Sequence, residues 1–423
     1  MRTLAKPESR RHAASRFSRR ALLLTGALSP IVVSRTAHAD DGEAIRARGL
    51  LRIGTAGDYA PFSWAQGKGF VGLDIELGKR LAKDFGVPAE FVRFTWPELV
   101  QSLKADRFDL AMSGVTLRGD RALAGRLSRP YAVVSAVALI RPADRARFTD
   151  PPSLDRDGVR LIVNAGGHLE SVARRLFPHA TISTTSDNTQ LFAPVLTKKA
   201  DAAISDSAEA HAHGTSGLIA LAPMTHDRKA LFVSDSAPQF ADWVDGWLRD
   251  RERDGFLPKL RRRYLAAPRP DELAMAAEAV LGAIQTRCEL MPLVGAYKVA
   301  HGLPIEDAAQ EARVLARTAD AARAAGLEPE GVQGLYRTLI AAAKDIEQAH
   351  ASQPNALTPT LDELRQVIRG IDAQLLAELR EVTPSGGSTD WRGSIEGCLS
   401  VEGLPSARKS DIAEALYKVH LAS

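Results

Sequence analysis

The periodicity of this 423-residue chain changes once, near Ala266–Pro270, and that change limits the fold more than any other feature. Upstream, short apolar runs alternate with amphipathic stretches. Leu51–Thr55, Phe91–Phe94, Leu110–Met112, Leu161–Asn164 and Ala202–Ile204 read as strands, Ile75–Phe85 and Leu99–Lys104 as helices, the alternation of an α/β domain. Val133–Ile140 and Ala230–Val233 are expected to cross between two lobes and leave a hinged cleft. Downstream, apolar residues recur at the helical period over Asp271–Ala300, Ile305–Ala325, Glu330–Ala351 and Leu361–Val382, with a last helix near Ile412–Val419. The sequence therefore predicts an α/β two-lobed domain over 40–267 and an all-α domain over 271–423. The length agrees, since one core seldom organises more than about 300 residues.

The formal charge of +4 misleads if taken whole. Residues 1–39 carry eight Lys or Arg against one acid, so the remainder is at −3 and shows no basic stripe with interleaved aromatics. Nucleic-acid binding is not expected. The basic segment reads as an export signal: Arg19 and Arg20 precede the apolar run Ala21–Val33, and Ala37-His38-Ala39 forms an A-x-A cleavage site. Paired arginines point to the twin-arginine route and hence the periplasm. The run is too short to span about 30 Å of hydrocarbon, so no membrane anchor is expected. In an oxidising compartment Cys288 and Cys398 are expected to bridge, two buried thiols being the plainer alternative. No paired ligand spacing is present, so neither metal nor cofactor is predicted.

The stretch Arg287–Glu311 concentrates chemistry. Arg287 and Lys298 are eleven residues apart, about three helical turns, and face one side. Leu290, Leu293, Val294 and Tyr297 supply an apolar stripe beside them, and Pro292 should kink the helix between the two cations. Asp307, Gln310 and Glu311 then cluster on one face of the next helix. An anion site with braced cations and a pair of solvated helix faces are equally compatible with this spacing.

Arg, eleven residues, Lys, then P-I-x-D-x-x-x-E (Arg287, Lys298, Pro304, Ile305, Asp307, Glu311) resembles the all-helical chorismate mutases. The resemblance continues through Ala343, Lys344, Ile346 and Glu347 and through Arg365 with Ile368, Ile371 and Leu376. It implies conversion of chorismate to prephenate without a cofactor. Arg287 and Arg365 would hold carboxylates, Lys298 would donate to the ether oxygen, Glu347 would donate beside it if protonated, and Asp307 and Glu311 would orient cations and the substrate hydroxyl. Gln310 stands where that family has an arginine, and Ala343 where it has Ser or Thr. Arg313, one turn beyond Gln310, is the candidate replacement cation.

The front half resembles periplasmic solute-binding proteins through LRIGTAGDYAPFSW, TWPEL, DRFDLAMSGVT, SRPY, NAGGHLE and ADAAISDSAEA. It is more narrowly similar to cyclohexadienyl dehydratases, which convert prephenate to phenylpyruvate and arogenate to phenylalanine. That similarity implies that Arg121 holds a ligand carboxylate, Ser113 and Gly114 supply a hydroxyl and close backbone approach, and Asp206 meets an amino group. Glu170 would be the general acid, with a proton retained by burial or a nearby negative charge. The plainer readings are a surface cation for Arg121, a helix N-cap for Asp206 and a first-turn glutamate for Glu170. His168 and Leu169 replace the Thr and Asn usual in that motif. Tyr59, Phe62 and Trp64 are candidates for an aromatic wall, with lobe core the preferred place for Phe62. Both resemblances together imply two successive reactions on small-molecule substrates. The alternative is a binding module joined to a mutase.

Overall fold

The computed structural model describes residues 41–212, 217–265, 274–351, 359–383 and 389–422. The expected leader, the segment 266–270 and the turn at Pro384–Gly387 lie outside the described residues.

The front domain has two lobes, each built on a five-stranded sheet. In the first lobe the order is Ala89–Arg93, Leu51–Thr55, Leu110–Ala111, Phe232–Val233, Arg126–Leu127; in the second it is Thr181–Thr185, Arg160–Asn164, Ala202–Asp206, Ala136–Ile140, Ile219–Ala220. The central strands are buried on both faces, which explains their continuous apolar runs. The expected crossings are finer than the sequence implied. Val133–Ile140 divides into Ala132–Val134 and Ala136–Ile140, and the first part pairs antiparallel with Asp227–Lys229 as a two-stranded ribbon between the lobes. Ala230–Val233 does not itself cross, because Phe232–Val233 already belongs to the first sheet.

The rear domain is helical: Met275–Glu289, Met291–Ala300, Ala308–Ala324, Pro329–Ala349, Leu361–Val382, Trp391–Cys398 and Ser406–Leu416. The break at Leu290 follows from Pro292, which lacks an N–H and so sits in the first turn of a new helix. Thr360 and Glu363 form a reciprocal capping box that starts the long helix Leu361–Val382. Trp391–Cys398 was not expected; Asp390 caps it by accepting from the Gly393 N–H.

The two domains share one apolar core. A single cluster runs from Leu103 and Phe108 in the first lobe, through Leu117, Ala277, Leu281 and Ile284, to Leu335 and Leu339 of the bundle. Gly119 and Gly282 are glycines because the domains meet there. A Cβ on Gly119 would lie 2.8 Å from Glu289 Cβ, and one on Gly282 2.9 Å from Arg228 Cδ. Polar contacts border this core. The Gly119 N–H donates to Glu289 Oε2 (2.7 Å), Arg249 Nη1 to Glu378 Oε1 (3.0 Å), and Arg228 Nε to Glu278 Oε2 (2.9 Å).

Candidate active sites

The helical domain encloses a cavity of about 120 Å³ that gathers Arg287, Lys298, Asp307, Gln310, Glu311, Ala343, Glu347 and Arg365, residues drawn from five helical segments and one connecting loop. Lys298 Nζ donates to Glu347 Oε2 at 2.7 Å and to the Ile305 carbonyl at 3.0 Å. Arg287, almost fully buried, donates to Asp372 Oδ1 and to the Leu339 carbonyl, both at 3.3 Å. Glu311 pairs with Lys344 at 3.2 Å. Asp307 caps its helix by accepting from the Gln310 N–H at 2.9 Å. Burial raises the Glu347 carboxyl above its ordinary pKa, opposed by Lys298.

Arg365 is part-exposed at the cavity rim and makes only a loose contact with Asp362, 3.5 Å. Two further cations line the same cavity, Arg317 and Arg369. Arg313 does not. Its guanidinium is turned out and donates to Gln310 Oε1 at 2.8 Å, contrary to the expected placement; Arg317, seven residues beyond Gln310 and on the same helix face, lines the cavity instead. The cavity thus carries six cations, Arg287, Lys298, Arg317, Lys344, Arg365 and Arg369, against four carboxylates, Asp307, Glu311, Glu347 and Asp372. That excess of two positive charges suits a dicarboxylate.

The Lys298–Glu347 pair depends on close helix packing. A Cβ on Gly295 would fall 2.8 Å from the Glu347 carbonyl oxygen and 3.0 Å from its Cα. Gly295→Ala must therefore move the backbone that carries Glu347. Expected is a mutase kcat reduced roughly 10-fold or more with the front-domain activity unchanged, consistent with the sensitivity of catalysis to misplacement of about 1 Å. Steady-state assays of both activities on the one variant check this, and an unaltered kcat would show that the packing tolerates the methyl.

In the front domain a cavity of about 380 Å³ opens between the lobes, lined by Trp96, Arg118, Arg121, Gly166, Gly167, Glu170 and Arg174 among others. Arg121 is buried and donates to the Thr116 carbonyl at 2.7 Å. Burial, with Arg118 beside it, brings its pKa down to about 10, so it remains a cation at neutral pH. His168 begins a helix and its Nε2 lies 2.9 Å from Asp227 Oδ1; burial lowers its pKa. Asp206 is fully buried and caps its helix by accepting from the Glu209 N–H at 2.8 Å, while Lys229 Nζ stands 3.7 Å from its other oxygen.

Four expectations change here. Glu170 accepts from the Gly166 N–H at 2.7 Å and pairs with Arg174 at 2.7 Å, and these contacts hold its carboxyl below the usual range. Held by these two partners it is a carboxylate, whereas the resemblance implied an acid that keeps its proton. Gly114 has φ +62 and packs against Tyr59 and Phe62, but its N–H donates to Asp74 Oδ2 at 2.6 Å rather than towards a ligand. Ser113 is likewise fully buried, its Oγ accepting from the Ala56 N–H at 3.3 Å. Trp64 lies half-buried in a small three-stranded sheet outside the cavity lining, where Trp96 stands instead, edge-on to Tyr59 at 5.7 Å. Phe62 is core, as preferred, fully buried and packed on Tyr59.

Cys288 and Cys398 are both free, which corrects the expected bridge. Cys288 is buried beside Arg287, whereas the Cys398 thiol lies with His226 and Glu278 at the domain boundary, their ligand-type atoms within 4.8 Å of one another. His226 Nε2 approaches both Glu278 oxygens, at 3.0 and 2.9 Å, and Arg228 also bonds that carboxylate. The group is an interdomain ion-pair network assembled from three distant segments, which no ligand-spacing rule reveals. Among the described residues no helix is long and apolar enough to cross a membrane.

Comparison with known proteins agrees with this division. Residues 51–267 match the family of bacterial extracellular solute-binding proteins, family 3, and residues 272–348 match chorismate mutase type II. The chain belongs to the first family through its front half, fused to a chorismate mutase domain. It is 31% identical over 266 residues to the cyclohexadienyl dehydratase of Pseudomonas aeruginosa, covering 61% of this chain and 96% of that protein. It is 31% identical over 144 residues to a monofunctional chorismate mutase of Enterobacter agglomerans, covering 32% of this chain and 80% of that one. A crystal structure of an ancestral amino acid-binding protein, described as a precursor of cyclohexadienyl dehydratase, is 31% identical with a TM-score of 0.52, covering 53% of this chain and 100% of that one.

Proposed function

We propose that this chain carries out two consecutive steps of phenylalanine biosynthesis, chorismate to prephenate in the helical cavity and prephenate to phenylpyruvate in the cleft. The observation that carries the first step is the cavity's surplus of two positive charges around the Lys298–Glu347 pair. The rearrangement breaks the chorismate ether C–O bond as a C–C bond forms, and needs no nucleophile or metal. Its requirements are a compact conformer and stabilisation of charge on the ether oxygen. Arg287, Arg317, Arg365 and Arg369 are suited to the carboxylates, and Lys298 to the ether oxygen. Glu347, which burial inclines to hold a proton, suits a second donor.

In the cleft, prephenate and a proton yield phenylpyruvate, carbon dioxide and water. Arg121 is suited to a carboxylate, and the proton must reach the departing hydroxyl. Gly166 and Arg174 hold Glu170 as a carboxylate, so it serves as acid only when a bound dicarboxylate raises its pKa. The expected result is a split pH profile. Prephenate kcat should persist to higher pH than kcat/KM, because the first reports the complex and the second the free enzyme. Glu170→Gln should reduce dehydration about 10²-fold while sparing the mutase. Coincident profiles would remove Glu170 from the role.

The Glu170–Arg174 ion pair favours a second reading, in which the cleft only binds an amino acid or aromatic acid. One experiment separates them: purified protein is given chorismate and both products are followed. Transient prephenate followed by phenylpyruvate supports two enzymes. Prephenate accumulating alone leaves a binding module joined to a mutase, and neither product discards the whole reading. Export to the periplasm by the twin-arginine route belongs to the same proposal, supported by the pattern at Arg19-Arg20 and by an extracellular family.

A further inference from the structure

One wall of the cleft is a short turn that supplies three of its lining residues, Arg118, Asp120 and Arg121. The Arg121 guanidinium donates to the Thr116 carbonyl at 2.7 Å and forms no ion pair among the described residues, so a ligand carboxylate is the counter-charge it lacks. Its position therefore depends on the backbone that carries it. That backbone is the helix Gly119–Ala122, a single turn with little hydrogen bonding of its own. The first N–H groups of such a helix have no partner within it, and Arg118, which precedes it, supplies no side-chain cap.

Glu289, from the helical domain, takes the place of the missing cap. Its Oε2 accepts from the Gly119 N–H at 2.7 Å, while Gln285 Nε2 donates to Oε1 at 2.8 Å and fixes the carboxylate from its own helix. The packing leaves no slack. A Cβ on Gly119 would lie 2.8 Å from Glu289 Cβ and 3.3 Å from the Thr286 carbonyl oxygen. Leu117 and Ala122, on either side of the turn, belong to the core shared with Ala277, Leu281 and Ile284. Glu289 is two residues from Arg287, about 200° round the helix, and is not among the residues lining the mutase cavity.

We propose that Glu289 is a positioning residue for the cleft: it fixes the turn that presents Arg121, so the carboxylate-binding wall of the front domain is completed by the rear one. This rests on the dehydratase reading. A bond that places a binding group held alike in ground and transition states acts on KM rather than on kcat.

The test follows prephenate dehydration and chorismate turnover on the full chain. Glu289→Ala should raise KM for prephenate about tenfold with kcat within about threefold of wild type, and leave chorismate turnover unchanged. Glu289→Gln keeps an oxygen that can accept from the Gly119 N–H and should stay within about twofold of wild type. In the Arg121→Ala background Glu289→Ala should cost nothing further, because the group it positions is gone. An unchanged KM in Glu289→Ala, equal losses in the Ala and Gln variants, or losses that add to those of Arg121→Ala overturn the proposal. Should Glu289→Ala fail to fold, as reported by lost chorismate turnover, Gly119→Ala displaces the same turn from the cleft side and carries the same expectation. If the wild type does not turn over prephenate, calorimetric binding of prephenate replaces KM, with Arg121→Ala as the blank for the cleft. Binding weakened by Glu289→Ala then removes the dehydratase reading alone, and absence of both turnover and binding overturns both.

Discussion

Replacing Lys298 with Ala is expected to lower kcat/KM for chorismate by about 10³-fold and to leave prephenate consumption unchanged. Lys298 is the one cavity cation bonded to Glu347, so its loss removes the proposed donor to the ether oxygen and leaves a buried carboxyl without its partner. The sign of the accompanying pH effect follows from burial. The Glu347 pKa is already raised by burial and partly restrained by Lys298; without the lysine it rises further. A carboxyl raised on folding contributes stability that is present at low pH and lost as pH climbs through the folded-state value. The variant's deficit in Tm relative to wild type should therefore be larger at pH 8 than at pH 5. A deficit independent of pH would mean that Glu347 does not feel Lys298. Undiminished chorismate turnover would remove Lys298 from the chemistry.

Arg121→Ala should give the complementary result: prephenate dehydration is expected to fall about 10²-fold, corresponding to roughly 3 kcal/mol lost when a buried charge partner is truncated. Chorismate rearrangement should persist and would show that the chain is folded. Arg118 is the control, since it lines the same cavity but is already paired with Asp120 at 2.7 Å and is more exposed. Arg118→Ala should cost far less. If Arg118→Ala proves the more damaging, the substrate carboxylate lies nearer the mouth than Arg121 and the assignment moves outward.

Much of the architecture could be read from periodicity. The two lobes and the helical stretches downstream of them are present close to their expected limits, the first expected helix being divided at Leu290, where Pro292 separates the segments that carry Arg287 and Lys298. What failed depended on contacts across the fold. Arg317 and Arg369 were overlooked although a signal existed, since they follow Gln310 and Arg365 by seven and four residues, the spacing of one helix face. Arg174, four residues after Glu170, was an equally visible warning that the proposed acid would be ionised. Lys229 offered no such signal. A lone lysine in a short strand reads as a surface residue, and only the folding of the ribbon between the lobes takes it to Asp206. The cysteine bridge was inferred from compartment and number, whereas thiol position is fixed by packing: Cys288 is buried in the apolar core and Cys398 lies beside His226 and Glu278 at the domain boundary.

The helix Met275–Glu289 has obligations on two sides. Its Arg287 faces the mutase cavity, its Glu289 holds the turn that bears Arg121, and its apolar residues belong to a core common to both halves. Such a chain is expected to melt in a single calorimetric transition rather than as two independent modules. Each half would then act as a thermodynamic reporter on the other: occupancy of either site would lend protection to both, and damage to either core would be inherited by its neighbour.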